Sequence, residues 1–170
     1  SDYYRLSEVL KKQEDSRLLQ SLLEGRLSEE EKNKLRYADR LRSYGIVVCL
    51  YWEALGNRNA DISQETLEAL IGRINTKSIL AYNANRLNEA VLLIPKQSPD
   101  AVQHALDDFI AEVREDLKLE LYAGISLKVS RLLEMAPEAY SQAYEALSYR
   151  FYYSQGRTFL YERLCDSLEL

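Results

Sequence analysis

The sequence predicts an α+β protein: a ferredoxin-like antiparallel sheet in the order β-α-β-β-α-β-α-β, preceded by an N-terminal helical connector. The run Gly45-Ile46-Val47-Val48-Cys49-Leu50-Tyr51-Trp52 is β-branched and aromatic, as a central strand requires. Ser78 to Tyr82 and Glu89 to Ile94 are short strand-like runs on either side of the polar stretch Asn83-Ala84-Asn85-Arg86-Leu87-Asn88, the pattern of a β-hairpin. An antiparallel hairpin inside a βαβ-like chain points to a ferredoxin-like sheet with its helices on one face.

Each element has its own signal. From Tyr4 to Glu24 there is no Gly or Pro, and Leu6, Val9, Leu10, Leu18, Leu19, Leu22 and Leu23 fall at helical spacing around a wholly polar interval, Lys11 to Arg17. Gly25 stops this helix. Ser28 with Glu31 forms a capping box for a second, short helix running to about Leu41. The connector is thus placed at residues 1–41 and the α+β domain at 42–170. The connector reads equally as a lid on that domain or as a part coiled-coil link to something upstream, and the two readings are compatible. After the first strand, Glu53 to Ile62 is a loop, and Ser63 caps a helix carrying Leu67, Leu70, Ile71 and Ile74. Pro95 ends the hairpin. Ser98-Pro99-Asp100 opens a helix with cap, proline and acid in place, and Val102, Ala105, Leu106, Phe109, Ile110, Val113 and Leu117 form its stripe. Leu119, Leu121, Ala123, Ile125 and Leu127 alternate with polar or small residues, predicting a strand with one buried face. Pro137 opens the next helix, with Ala139, Tyr140, Ala143, Tyr144, Leu147 and Phe151 in its stripe and Gly156 as its stop. Thr158 to Tyr161 is the last strand.

Composition narrows the chemistry. With 170 residues, 46% hydrophobic and 29% charged, the chain is of single-domain size and globular type. A net charge of −5 lacks the basic footprint of a nucleic-acid binder, so this segment is expected not to touch nucleic acid directly. No apolar run approaches the roughly 18 residues needed to span a bilayer, so no membrane is expected and the location is read as cytoplasmic. Cys49 and Cys165 cannot build a disulfide framework or a zinc cluster, and His104 has no second imidazole. The glycines match no nucleotide fingerprint. The carboxylates at 29–31, 107–108, 112, 115 and 116 sit on solvated helix faces. No catalytic group, cofactor or metal site emerges. Of 13 tyrosines, Tyr140 and Tyr144 share the apolar stripe of their helix, whereas Tyr149, Tyr152 and Tyr153 cannot all face inward and offer a partner surface or a small pocket.

Three segments resemble a known family. Ala139-Tyr140-Ser141-Gln142-Ala143-Tyr144-Glu145-Ala146-Leu147-Ser148-Tyr149-Arg150-Phe151 resembles the SYxxAxxALxYRF helix near the end of the central domain of YesN-type response regulators. Tyr122-Ala123-Gly124-Ile125-Ser126 is similar to the strand that precedes it there, and Arg17-Leu18-Leu19-Gln20-Ser21-Leu22-Leu23-Glu24-Gly25 to the connector helix. In that family a receiver lies upstream, an AraC-type DNA-binding domain downstream, and a degenerate GGDEF-like, nucleotide-cyclase-like domain between them. An active GGDEF domain makes cyclic di-GMP from GTP, with motif glycines that admit the nucleotide and acids that hold a divalent metal.

Here Arg86-Leu87-Asn88-Glu89-Ala90 stands at that motif, with bulky side chains for both glycines and Asn88 for the aspartate. The first strand ends Leu50-Tyr51-Trp52, with Glu53 close behind, where a metal-binding aspartate is expected. The resemblance therefore implies no cyclase activity, no cofactor and no enzyme. It implies instead a regulatory relay between receiver and DNA-binding domains in cis. The N-terminal helix would be the link and the homodimer contact, through Leu18, Leu19, Leu22 and Leu23. The alternative is a sensing domain that binds a small molecule or nucleotide in the degenerate cleft, with Arg86, Asn88 and Glu89 at the rim and Tyr51 and Trp52 beneath.

Overall fold

A computed structural model describes residues 15–77, 80–83, 88–153 and 155–168. Helix α1 covers residues 15–23 and ends at Gly25, whose φ of +74° is easy only for glycine. The part of the predicted connector helix before residue 15 lies outside the described residues. The second connector helix is broken into α2 (Glu29–Asn33) and α3 (Ala38–Leu41), the first opened by the expected box: Glu31 N donates to Ser28 Oγ at 3.2 Å and Ser28 N to Glu31 Oε1 at 3.2 Å. The Ser28 N–H, and then its hydroxyl donating to the same Oε1 at 3.1 Å, lower the Glu31 carboxyl pKa. There follow β1 (Gly45–Ala54), α4 (Gln64–Lys77), β2 (Leu80–Asn83), β3 (Glu89–Pro95), α5 (Pro99–Leu117), β4 (Leu119–Ile125), α6 (Leu132–Ser148), a 3-10 turn (Tyr149–Phe151), β5 (Thr158–Leu160) and α7 (Tyr161–Leu168).

The sheet order is β2-β3-β1-β4-β5, with β1 in the centre, antiparallel to β3 and β4, and β5 parallel to β4. The predicted order of strands and helices is therefore present, and the fold class is α+β. The helices, however, cover both faces. Val47, Cys49, Val91 and Leu93 turn toward α1, α3 and α6, while Ile46, Val48, Leu50, Trp52 and Leu92 turn toward α4 and α5. This second layer changes β4: Glu120, Gly124 and Ser126 are buried along with Leu119, Leu121, Ala123 and Ile125. Ser126 is satisfied there, since its Oγ accepts from Val47 N at 2.9 Å and donates to Leu127 O at 2.8 Å.

Other boundaries moved for identifiable reasons. Helix α6 starts at Leu132, so Pro137 lies inside it; burial of Leu132, Leu133 and Ala136 outweighs the N–H that proline cannot supply. The helix ends at Ser148, well before Gly156, and passes into the 3-10 turn. Ser98 is extended before Pro99 but makes no side-chain capping bond. Ala105 is exposed rather than part of the α5 stripe. Tyr161 begins α7 instead of closing β5, because no glycine or proline marks the junction. No helix among the described residues is long and apolar enough to cross a membrane.

Candidate functional site

The site grows from the way α6 sits on the sheet. A Cβ at Gly124 would stand 2.1 Å from Ala143 O and 2.5 Å from Leu147 N, so the helix rests directly on the strand backbone. Because α6 ends at Ser148 while β1 and β4 continue, the cross-strand pairs Tyr51–Tyr122 and Glu53–Glu120 emerge past its end on the same face.

These residues form a linked polar network. Tyr51 Oη donates to Glu53 Oε2 at 3.4 Å, and Tyr122 Oη to Glu53 Oε1 at 3.3 Å. The two rings lie 6.1 Å apart, tilted by 37°. The Arg150 guanidinium stands 4.4 Å from the Tyr51 ring centre and that of Arg157 5.1 Å from the Tyr122 ring centre. Arg157 Nε donates to Glu120 Oε1, and Arg114 Nε approaches Glu120 Oε2 at 3.3 Å. Glu120 is only 5% exposed, and two guanidiniums compensate its charge. Burial raises the pKa of both Tyr51 and Tyr122, and the adjacent Glu53 carboxylate raises them further.

The predicted cleft residues are split by this geometry. Tyr51 is opposite Glu89 across the β1–β3 ladder, so the two share the α6 face. Trp52, one residue on, points to the other face, where it is buried among the α4 and α5 contacts and its Nε1 finds no hydrogen-bond partner among the described residues. Trp52 N donates to Asn88 O at 3.1 Å, and Asn88 sits at φ +63°, a left-handed conformation that asparagine tolerates better than most residues. Arg86 lies outside the described residues. Of the connector leucines, Leu19, Leu22 and Leu23 are buried in the chain's own core and Leu18 is half-buried. Cys49 is buried and His104 exposed. Tyr140 is half-buried, whereas Tyr144 is exposed rather than core.

Sequence reasoning passed over Glu120, Arg114, Arg150 and Arg157. A pairing of β1 with β4 written out residue by residue reveals the Tyr–Tyr and Glu–Glu rungs, but nothing local signals the arginines that complete them. Among the described residues, no three His, Cys, Asp or Glu side chains converge to hold a metal ion. The arrangement sets phenol hydroxyls, the Glu53 carboxylate and guanidiniums on a half-buried part of the sheet face, a surface suited to hydrogen bonding.

No family model matches the sequence, and no curated protein matches it. Solved structures do. The GGDEF domain of DgcB from Caulobacter crescentus, in complex with c-di-GMP, superposes with a TM-score of 0.54 at 15% identity, covering 71% of this chain and 77% of that one. A microbial GGDEF domain solved with bis-(3′,5′)-cyclic di-GMP gives 0.54 at 18% identity, covering 76% of this chain and 84% of its own. The chain has a GGDEF-like fold. This likeness corrects the expectation of no enzyme: both structures are GGDEF domains studied with cyclic di-GMP, and the chain shares their fold. Moreover, the described part of the motif, Asn88-Glu89-Ala90, is paired in register with β1.

Proposed function

We propose that the chain is a GGDEF-fold relay domain of a cytoplasmic bacterial two-component regulator of YesN type. Residues 1–41 form its input arm and 42–170 its body, with a receiver before it, an AraC-type DNA-binding domain after it, and a homodimer as the working unit. The observation that carries this reading is the seat of α1. Leu19, Leu22 and Leu23 belong to the same core cluster as Val47, Cys49, Val91 and Leu93 of the sheet and Ala136, Ala139 and Ala143 of α6. A displacement of the arm upstream would be felt by the sheet and by α6, which carries most of the 139–151 segment that resembles the regulator family. Because those leucines face inward, a homodimer contact through this helix falls to Leu18, which is half-buried, and the outer side of α1.

The test is induction of a reporter by the parent regulator carrying Leu22→Ala, with folding checked by circular dichroism. Loss of induction in a folded protein is the expected result, and unchanged induction overturns the proposal. A second reading, nucleotide or small-molecule sensing, is favoured by the half-buried Tyr51–Glu53–Tyr122 surface beside Asn88 and Glu89. It expects a thermal shift with GTP or cyclic di-GMP that Tyr51→Ala removes.

A further inference from the structure

Helices α4 and α5 lie on the same face of the sheet but do not close on each other along their whole length. The described ion pairs between them, Arg73 Nη1 with Asp116 Oδ2 at 2.8 Å and with Glu112 Oε1 at 3.6 Å, hold the C-terminal half of α5. Beside its N-terminal half a cleft of about 280 Å³ remains. Leu50, Leu92 and Ile94 of the sheet form its floor, with Ile74 of α4 on one side and Val102, Leu106 and Phe109 of α5 on the other. Ala101 and Ala105, exposed and one turn apart, bring only methyl groups to its rim.

The lining decides what can enter. Gln97, exposed in the link between β3 and α5, is the single polar side chain among the described lining residues, and none of them is charged. At the bulk share of about 30 Å³ each, the cleft has room for about nine waters, yet its walls offer them no side-chain hydrogen bond except at Gln97. Replacing such poorly held water by apolar surface is favourable. Size narrows the ligand further. An apolar cavity of about 150 Å³ takes benzene, and drug-sized ligands fill roughly 300–1,000 Å³, so this cleft suits a molecule of about two fused rings.

We propose that this cleft binds a small uncharged bicyclic aromatic molecule, its rings against Leu92, Leu106 and Phe109 and its one hydrogen-bonding group at Gln97. Against Phe109 the ligand ring takes the tilted or offset geometry that aromatic pairs prefer. The cleft lies on the face of the sheet opposite α1 and α6, so its failure leaves the relay reading untouched.

The test is a backbone-amide NMR titration of the chain with indole, alongside indole-3-carboxylate. Shifts centred on residues 92–109 and on Ile74 are expected to saturate by about 1 mM indole, the range that the binding efficiency of small ligands allows. The carboxylate, whose charge has no partner in the lining, should bind about tenfold more weakly. A105F sets a ring over the mouth from an exposed position, so it keeps the fold, and it should weaken indole by about tenfold through the clash. Its amide spectrum away from the cleft checks that fold. Shifts that grow without saturating, shifts centred elsewhere, equal binding of the carboxylate, or unchanged indole binding by folded A105F overturns the proposal.

Discussion

Replacing Gly124 by alanine adds one methyl group where the structure has no room for it. The new Cβ would lie 2.1 Å from Ala143 O, 2.5 Å from Leu147 N and 2.9 Å from Leu147 Cβ. Two of those atoms are backbone and cannot rotate away, so α6 has to retreat by about 0.9 Å merely to restore a 3.0 Å contact. A gap of about 0.5–1 Å forfeits a quarter to a half of each dispersion contact it opens. The loss is spread over Leu132, Leu133, Ala136, Ala139, Ala143 and Leu147, which all face the sheet or the helices beside it. Overpacking with rotatable neighbours typically costs about 1–3 kcal/mol, so this backbone clash is expected at the upper end, about 3 kcal/mol. Urea unfolding followed by circular dichroism measures it, with Gly72→Ala as control. Gly72 lies in α4 with nothing within 4 Å of its would-be Cβ, and there alanine should add about 0.5–1 kcal/mol of stability. A Gly124→Ala protein within about 0.5 kcal/mol of the wild type would refute the account of how α6 is seated.

Three further outcomes are expected. Arg157→Ala leaves the buried Glu120 with Arg114 alone and should cost about 3 kcal/mol in urea unfolding. Adding Glu120→Gln should recover part of that loss, and no recovery would refute the charge argument. For Tyr51 and Tyr122, whose folded pKa values are raised above the ordinary 10.0, the folded state keeps the phenol protons that the unfolded chain gives up first. Their contribution is therefore whole below pH 10 and is lost as pH climbs through the raised values. The Tyr51→Phe, Tyr122→Phe double variant should flatten the alkaline fall in stability, and an unchanged profile counts against the network. Lys118 holds φ +55° at the end of α5, so Lys118→Gly should stabilise by about 0.5–1 kcal/mol in the same assay, and a loss would contradict the strain.

Where a segment carries its own pattern, the sequence was enough. The apolar run from Gly45, the stripe of α5 and the Ser28–Glu31 box need no distant partner to be recognised, and each lies in the structure close to its expected place. What failed depended on the neighbour. The one-sided strand expected over 119–127 is buried on both faces because α6 lies against Gly124, a contact between positions far apart in the chain. Pro137 looked like a helix start because the energy that overrides it comes from Leu132 and Leu133 packing elsewhere. At the candidate site, Tyr51 and Glu89 are placed at one cleft by the family resemblance, whereas the rung that joins them pairs β1 with β3 across α4 and β2, which no local pattern encodes. Trp52 could have been assigned to the opposite face by strand alternation alone. The pairing of Arg157 with Glu120 follows from the parallel arrival of β5 beside β4, which no local motif encodes.

The central position of β1 has a consequence for how the protein is made. Synthesis delivers α1 and β1 before the other strands of this sheet, yet among the described residues β1 pairs with β3 and β4, and its two faces are covered by α1, α3 and α6 and by α4 and α5. As the chain leaves the ribosome, Ile46, Val48 and Leu50 have no lasting cover until α4 and α5 emerge, Val47 and Cys49 lack α6 until residues beyond 132 do, and α1 has no complete seat until then. The most apolar strand is thus the one that waits longest for its partners, so nascent chains that stall before β4 should be the species that chaperones hold and proteases clear.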